Sequence, residues 1–344
     1  GFTPNKSPDL LKKKIPPEEI IKLNGNENPY GCSPAVNQAL FECKKFSIYP
    51  DATQQEVRSL VAGYAGTTPD RVVAAAGADQ LLDVIVRLFI DPGDEMITCV
   101  PTFELYRFYT QLCGGTAVEV QRDENFDVNI SQVKSAITNK TKVIFLCNPN
   151  NPTGNVIPKE GILDMAKTGI PTVVDEAYYE FSGITMSPYI DQYPNLMVVR
   201  TFSKWAGIAS IRLGYGIFSP EVAASVFSIK PPFSVSVPAI VGLKSSLQEK
   251  EHLLSTVRKI VDERERLFQE LKKLSFLKPH PSKGNFIFCA VLKGEAAKLT
   301  QDLEDRGILI RHYNTPRLKH GVRITVGKPE QSDKLIAAMK ELMG

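Results

Sequence analysis

The chain has 344 residues, 43% of them hydrophobic and 23% charged, which marks a globular protein long enough for two domains and excludes a disordered or fibrous one. A formal net charge of +3 leaves no electrostatic footprint for nucleic acid or an anionic membrane surface, and the longest apolar runs are strand length, far short of a bilayer span. Six scattered cysteines without a CxxC pair, four histidines without helical ligand spacing and no secretory signal suggest neither a disulfide framework nor a metal site, and lead us to expect a reduced, cytoplasmic chain.

Residues 1–35 are rich in Pro, Asn and Lys. With the turn signals of NGNENPYG at Asn24 to Gly31, they read as an extended arm of the kind that reaches a partner subunit. From Arg71 onward β-rich runs alternate with amphipathic segments: RVVAAAG then ADQLLDVIVRLFI, EMITCV then TFELYRFYTQLC, TAVEV then ISQVKSAI. KVIFLC, TVVDEAYY, LMVVRTF and RLGYGIF follow. Apolar strands separated by helical periods predict βαβ units and a mainly parallel sheet covered on both faces. A long polar helix is predicted over residues 245–274. After it, a strand, helix, strand, strand and helix define a smaller α+β domain. The expected division is an arm over 1–35, a large domain over 36–245 and a small domain over 246–344.

A parallel sheet invites a search for nucleotide fingerprints, and GxGxxG, GxxxxGK[ST], GxSxG and HExxH are all absent. Four other features fall at or just beyond strand C-termini, where open α/β sheets bind ligands. A strand ends at Gly77 and a helix opens at Ala78-Asp79, leaving backbone N–H groups for a phosphate. NPNNPTG, Asn148 to Gly154, is a rigid turn able to aim an asparagine. Asp175 ends a strand, with Tyr178 one helical step later. Finally, Lys204 sits beside Phe202 and Trp205 with Thr201, Ser203 and Arg212 nearby. A lysine desolvated by such neighbours becomes a nucleophile toward carbonyls. Each feature alone also has an ordinary structural reading; in this order they describe a pyridoxal 5'-phosphate site.

These segments resemble the class I and II aminotransferases of fold type I, from KLNGNENPYG through YPD, GADQ, PTFELY, NPNNPTG, VVDEAYYEF and RTFSKWAGIASIRLGYG to GVRITVG. LNGNENPYG with RTFSK and RITVG is most similar to the histidinol-phosphate branch. The resemblance implies a seven-stranded sheet in the large domain, pyridoxal 5'-phosphate as cofactor and a homodimer with shared active sites. It also implies amino transfer between L-histidinol phosphate or imidazole-acetol phosphate and glutamate or 2-oxoglutarate, in histidine biosynthesis. Aromatic-amino-acid aminotransferases and threonine-phosphate decarboxylases look similar around the lysine and stay open as alternatives.

Carried over residue by residue, Lys204 looks like the Schiff-base lysine and proton carrier. Asp175 would pair with the pyridinium nitrogen, while Asn151 and Tyr178 would bond the ring's phenolic oxygen and Phe103 would stack on the ring. Gly77, Ala78, Asp79, Thr201, Ser203 and Arg212 would cup the phosphate, with Tyr49 reaching in from the other subunit. Arg323 is similar to the family's substrate arginine; in GVRITV, strand alternation sets Arg323 and Thr325 opposite Val322, Ile324 and Val326. Asn28, Tyr30 and Arg311 are further candidates for the substrate. Two positions depart from the family pattern: Ser210, where Gly is usual, and Gln80, where Glu is more usual.

Overall fold

A computed structural model describes residues 15–343. The portion of the expected arm before residue 15 lies outside the described residues. Strand β1 (Ile21–Lys22) is followed by the seven strands of the large sheet: β2 (Val72–Ala75), β3 (Glu95–Val100), β4 (Thr116–Gln121), β5 (Thr141–Cys147), β6 (Thr172–Asp175), β7 (Leu196–Thr201) and β8 (Gly214–Ile217). Their order in the sheet is β2-β8-β7-β6-β5-β3-β4, and only β8 runs antiparallel to its neighbours.

Alternation within the apolar runs explains why both faces are covered. Val73, Val143, Phe145, Val173 and Val199 enter one core, which includes the helix Ala78–Phe89; Val72, Ile144, Leu146, Val174 and Val198 enter the other. With βα crossovers on both faces, the parallel strands β5, β6 and β7 open their C-terminal ends on one rim.

The small domain is built on β9 (Leu277–Pro279), β10 (Phe286–Val291), β11 (Ile308–Leu309), β12 (Arg311–His312) and β13 (Gly321–Thr325). Four of these form an antiparallel sheet in the order β12-β13-β10-β9. Ile287, Cys289, Val322 and Ile324 pack beneath it against Leu299 and Leu335 of the helices Ala296–Glu304 and Pro329–Met343. The opposite face carries Arg323 and Thr325 toward the large domain. β1 pairs in parallel with β11, so from Ile21 the segment read as an arm is tied to its own chain; Leu23 N donates to Leu309 O at 2.8 Å and Thr325 N to Leu23 O at 2.9 Å.

The single helix expected over 245–274 is two helices, Val237–Gln248 and Lys250–Lys272, broken at Glu249. No Pro or Gly marks the break; tertiary packing sets it. The first helix lies against the helix Pro34–Glu42. The second is shared between the domains, with Leu253, Val257 and Ile260 in the large core and Leu267 and Leu271 in the small one. No helix among the described residues is long and apolar enough to cross a membrane.

Candidate active site

A cavity of about 340 Å³ lies where the C-terminal rim of β5, β6 and β7 meets β12 and β13. Its first corner is a cradle for an anion. Gly77 holds a φ of 87°, so β2 turns sharply into the helix Ala78–Phe89, whose start has no side-chain cap and keeps unpaired N–H groups. The positive φ favours glycine there, and a Cβ would also push aside the Arg212 guanidinium, one nitrogen of which lies 2.4 Å away. Arg212, itself at φ 57°, donates to Asp79 Oδ2 at 3.0 Å and to Ala209 O at 3.1 Å. Thr201 and Ser203 complete the corner, their hydroxyls 2.9 Å apart. Gln80 Oε1 accepts from Ala76 N at 2.8 Å; an acceptor is what this turn requires, and Gln meets it as Glu does. Ser210 is exposed in the turn Ala209–Ile211 and does not line the cavity.

Lys204 follows β7 in a turn anchored by Phe202 and Trp205, both fully buried; Trp205 stacks on Tyr64 and Phe202 lies tilted against it. Its Nζ enters the cavity and donates to Gly25 O at 3.2 Å. Burial, then the charges of Arg323 and Arg212, pull its pKa down to about 8, so a substantial fraction of the amine is neutral near physiological pH. Asp175, at the end of β6, is buried. Its Oδ2 accepts from Tyr106 Oη at 2.6 Å and its Oδ1 from Ala177 N at 3.1 Å. Burial raises its pKa to about 6, against the two hydrogen bonds, which lower it.

A buried ion pair frames these groups from behind. Arg200 Nε donates to Glu176 Oε2 at 2.9 Å, and the guanidinium lies 3.7 Å from the centre of the Tyr179 ring. Arg200 precedes Thr201, Glu176 follows Asp175 and Tyr179 follows Tyr178. The Arg200 side chain therefore ties its own position, next to Thr201, to the neighbours of two further cavity residues.

The remaining wall comes from the two ends of the chain. Arg323 donates to Asn151 Oδ1 at 2.6 Å and to Asn24 O at 2.7 Å, while its buried Nε has no hydrogen-bond partner among the described residues. Arg311 stands directly opposite Arg323 in the β12–β13 register, and both line the cavity. Burial, and the charge of Arg323, lower the pKa of Arg311. Tyr178 accepts from Asn26 Nδ2 at 2.9 Å, and Thr325 Oγ1 donates to Asn26 Oδ1 at 3.1 Å. Phe103 lines the cavity beside Asn151.

Lys204, Asp175, Tyr178, Asn151, Phe103, Ala78, Asp79, Thr201, Ser203, Arg212, Arg323 and Arg311 are thus gathered at one cavity. Asn28 and Tyr30, expected as substrate residues, are not. Glu27 still lines the cavity, but beyond it Asn28 Nδ2 donates instead to Trp205 O at 2.9 Å, bracing the lysine turn. Tyr30 instead lies against the ammonium groups of Lys259 and Lys328. Tyr49 is exposed, stacked on Phe233, and lies away from this chain's cavity. Sequence reasoning missed Asn26, Tyr106 and Tyr313. The available signal was chemical only, an asparagine in NGNENP and a tyrosine in PTFELY.

A desolvated lysine, a strand-end carboxylate and an anion cradle on one rim are the outline of a pyridoxal-phosphate fold, and the comparisons agree. Residues 18–339 match the aminotransferase class I and II family, and the chain belongs to that family. Among its relatives, the histidinol-phosphate aminotransferase of Dehalococcoides mccartyi is 50% identical, over 99% of this chain and 95% of that protein. The chloroplastic histidinol-phosphate aminotransferase of Nicotiana plumbaginifolia is 41% identical, over 94% and 79%. The crystal structure of histidinol-phosphate aminotransferase from Sinorhizobium meliloti in complex with pyridoxal-5'-phosphate superposes with a TM-score of 0.89 at 25% identity, covering 99% of this chain and 95% of that one. The fold is that of the fold type I aminotransferases.

Proposed function

We propose that the protein transfers an amino group between L-histidinol phosphate or imidazole-acetol phosphate and glutamate or 2-oxoglutarate, using pyridoxal 5'-phosphate. One observation carries this reading: the low-pKa Lys204 and the buried Asp175 open on a cavity whose far wall sets two arginines directly opposite each other. Two guanidinium groups on one cavity wall are a ready site for an anion. A substrate with a phosphate supplies that anion.

The residues present fit the cofactor. The cradle at Gly77 turns on a positive φ that favours glycine, and it offers backbone N–H groups, two hydroxyls and Arg212 to a phosphate. When bound, pyridoxal phosphate supplies an aldehyde for amino groups and a ring that accepts the electrons of a broken Cα–H bond. Asp175 would meet the ring nitrogen, Phe103 the ring face, and Asn151 and Tyr178 the phenolic oxygen. Lys204 Nζ would hold the cofactor and serve as the base for the Cα proton. Arg323 and Arg311 would bind the anionic groups of the substrate.

The relatives named histidinol-phosphate aminotransferase support this choice of substrate over the similar aromatic-amino-acid aminotransferases and threonine-phosphate decarboxylases. A panel of amino donors and keto acceptors tests it. We expect the highest kcat/KM with imidazole-acetol phosphate; preference for phenylpyruvate, or CO₂ release from phosphothreonine, overturns it.

We also read the working form as a cytoplasmic homodimer. Phe41, Phe46, Ile48 and Tyr49 are exposed close together in sequence, with Phe233 against Tyr49, and such an apolar surface marks a protein contact. From there Tyr49 reaches the partner's cavity. Sedimentation checks this, and a fully active monomer contradicts it.

A further inference from the structure

Asp175 carries its charge in an unusual setting. It is buried at the end of β6, and its two oxygens accept one bond each, from the backbone N–H of Ala177 and the phenol of Tyr106. Neither donor is a cation. Tyr106 itself does not line the cavity; it sits on the helix Leu105–Leu112, fully buried, with its Oη 2.6 Å from Asp175 Oδ2. Its ring is fixed from two sides. Phe145 of β5 stacks on it at 5.0 Å, and Phe103 meets it edge-on at 5.6 Å. Burial holds the Tyr106 hydroxyl's own pKa well above the ordinary value, so the phenol keeps its proton and acts as a donor.

We infer that Tyr106 is a positioning residue for the reaction: from behind the cavity wall its phenol aims Asp175 and keeps it ionised, and through Asp175 it holds the cofactor's ring nitrogen protonated. The inference rests on the reading of the site given above. Its physical content is a balance of two opposed effects on one carboxyl group. Burial favours the neutral acid, which cannot stabilise a pyridinium, and a short hydrogen bond from a neutral donor favours the carboxylate without supplying a competing positive charge. A lysine or arginine in place of the phenol would also ionise Asp175, but would compete with the pyridinium for it. The same ring abuts Phe103, so one side chain sets both the carboxylate that meets the ring nitrogen and the aromatic that meets the ring face.

The test is a double-mutant cycle with a spectroscopic readout. Dissociation constants for pyridoxal phosphate are measured by fluorescence quenching for wild type, Tyr106→Phe, Asp175→Ala and the double variant; Phe keeps the ring and its packing. We expect Tyr106→Phe to weaken binding by about tenfold or more in the wild-type background, and by less than about twofold when Asp175 is already alanine. With cofactor isotope-labelled at the ring nitrogen, the bound NMR resonance should move from the protonated toward the neutral position in Tyr106→Phe. Equal losses in both backgrounds with an unmoved resonance overturn the inference and leave Tyr106 a packing residue. Failure of the wild-type protein to bind pyridoxal phosphate would instead remove the reading of the site on which it rests.

Discussion

The two walls of the cavity are assembled differently. The anion cradle is built from short loops at the ends of adjacent strands: Gly77 to Asp79 after β2, and Thr201 to Arg212 between β7 and β8, which pair directly. The arginine wall joins the beginning of the chain to its end, with Asn26 N bonded to Thr325 Oγ1 and Arg323 to Asn24 O, each pair 299 residues apart in sequence. The cradle rests on the rigid sheet of the large domain. The arginine wall depends on how the small domain and residues 21–28 lie against it. Changes to the cradle should therefore act on cofactor retention, and changes to the arginine wall on substrate.

Lys204 belongs to neither wall alone, and its loss should be largest. Lys204→Ala should lower kcat by more than about 10⁴-fold in steady-state assays, because it removes the proton carrier as well as the covalent hold. Arg323→Lys should lower kcat/KM for the phosphorylated substrate by about 100-fold, since an ammonium cannot reproduce the guanidinium fork, with cofactor affinity changed by less than about twofold. Equal loss of cofactor affinity would show that the two walls are not separable, the Arg323 to Asn151 bond being the route between them.

Arg212→Lys makes the converse case: an approximately tenfold weaker cofactor dissociation constant by equilibrium titration, and an unchanged KM at saturating cofactor. The smallest effect is on stability against pH. The folded pKa of Lys204, about 8, lies below the unfolded value of about 10.4, so between them the unfolded chain binds more protons and stability rises with pH. Against Lys204→Met, the melting curve of the cofactor-free protein should gain at most about 1 kcal/mol per pH unit across that window, and no relative gain would mean the amine is not desolvated.

The same contrast decides what could be read in the sequence. The strands of the large sheet, Asp175, Lys204 and the Gly77 turn are local features, fixed by apolar runs, strand ends and short spacings. Asn26 and Asn28 are two residues apart and chemically identical, and only their distant partners, Tyr178 and Thr325 for one and Trp205 for the other, separate their roles. Tyr106 looks like any apolar-face helix residue until β6 brings Asp175 to its hydroxyl. The break at Glu249 has no local breaker and follows from the packing of two helices against different partners. Gln80, which looked like a departure, serves the same turn as the residue it replaces.

The opposed pair Arg311 and Arg323 has a consequence for handling the protein. Two guanidinium groups line one wall of the cavity, and a small dianion that settles against them binds only the folded chain. By mass action, inorganic phosphate should then raise the melting temperature in proportion to the logarithm of its concentration over its dissociation constant, while an amine buffer should not. A phosphate buffer would act as a competing ligand, making the protein look more stable and its substrate look weaker.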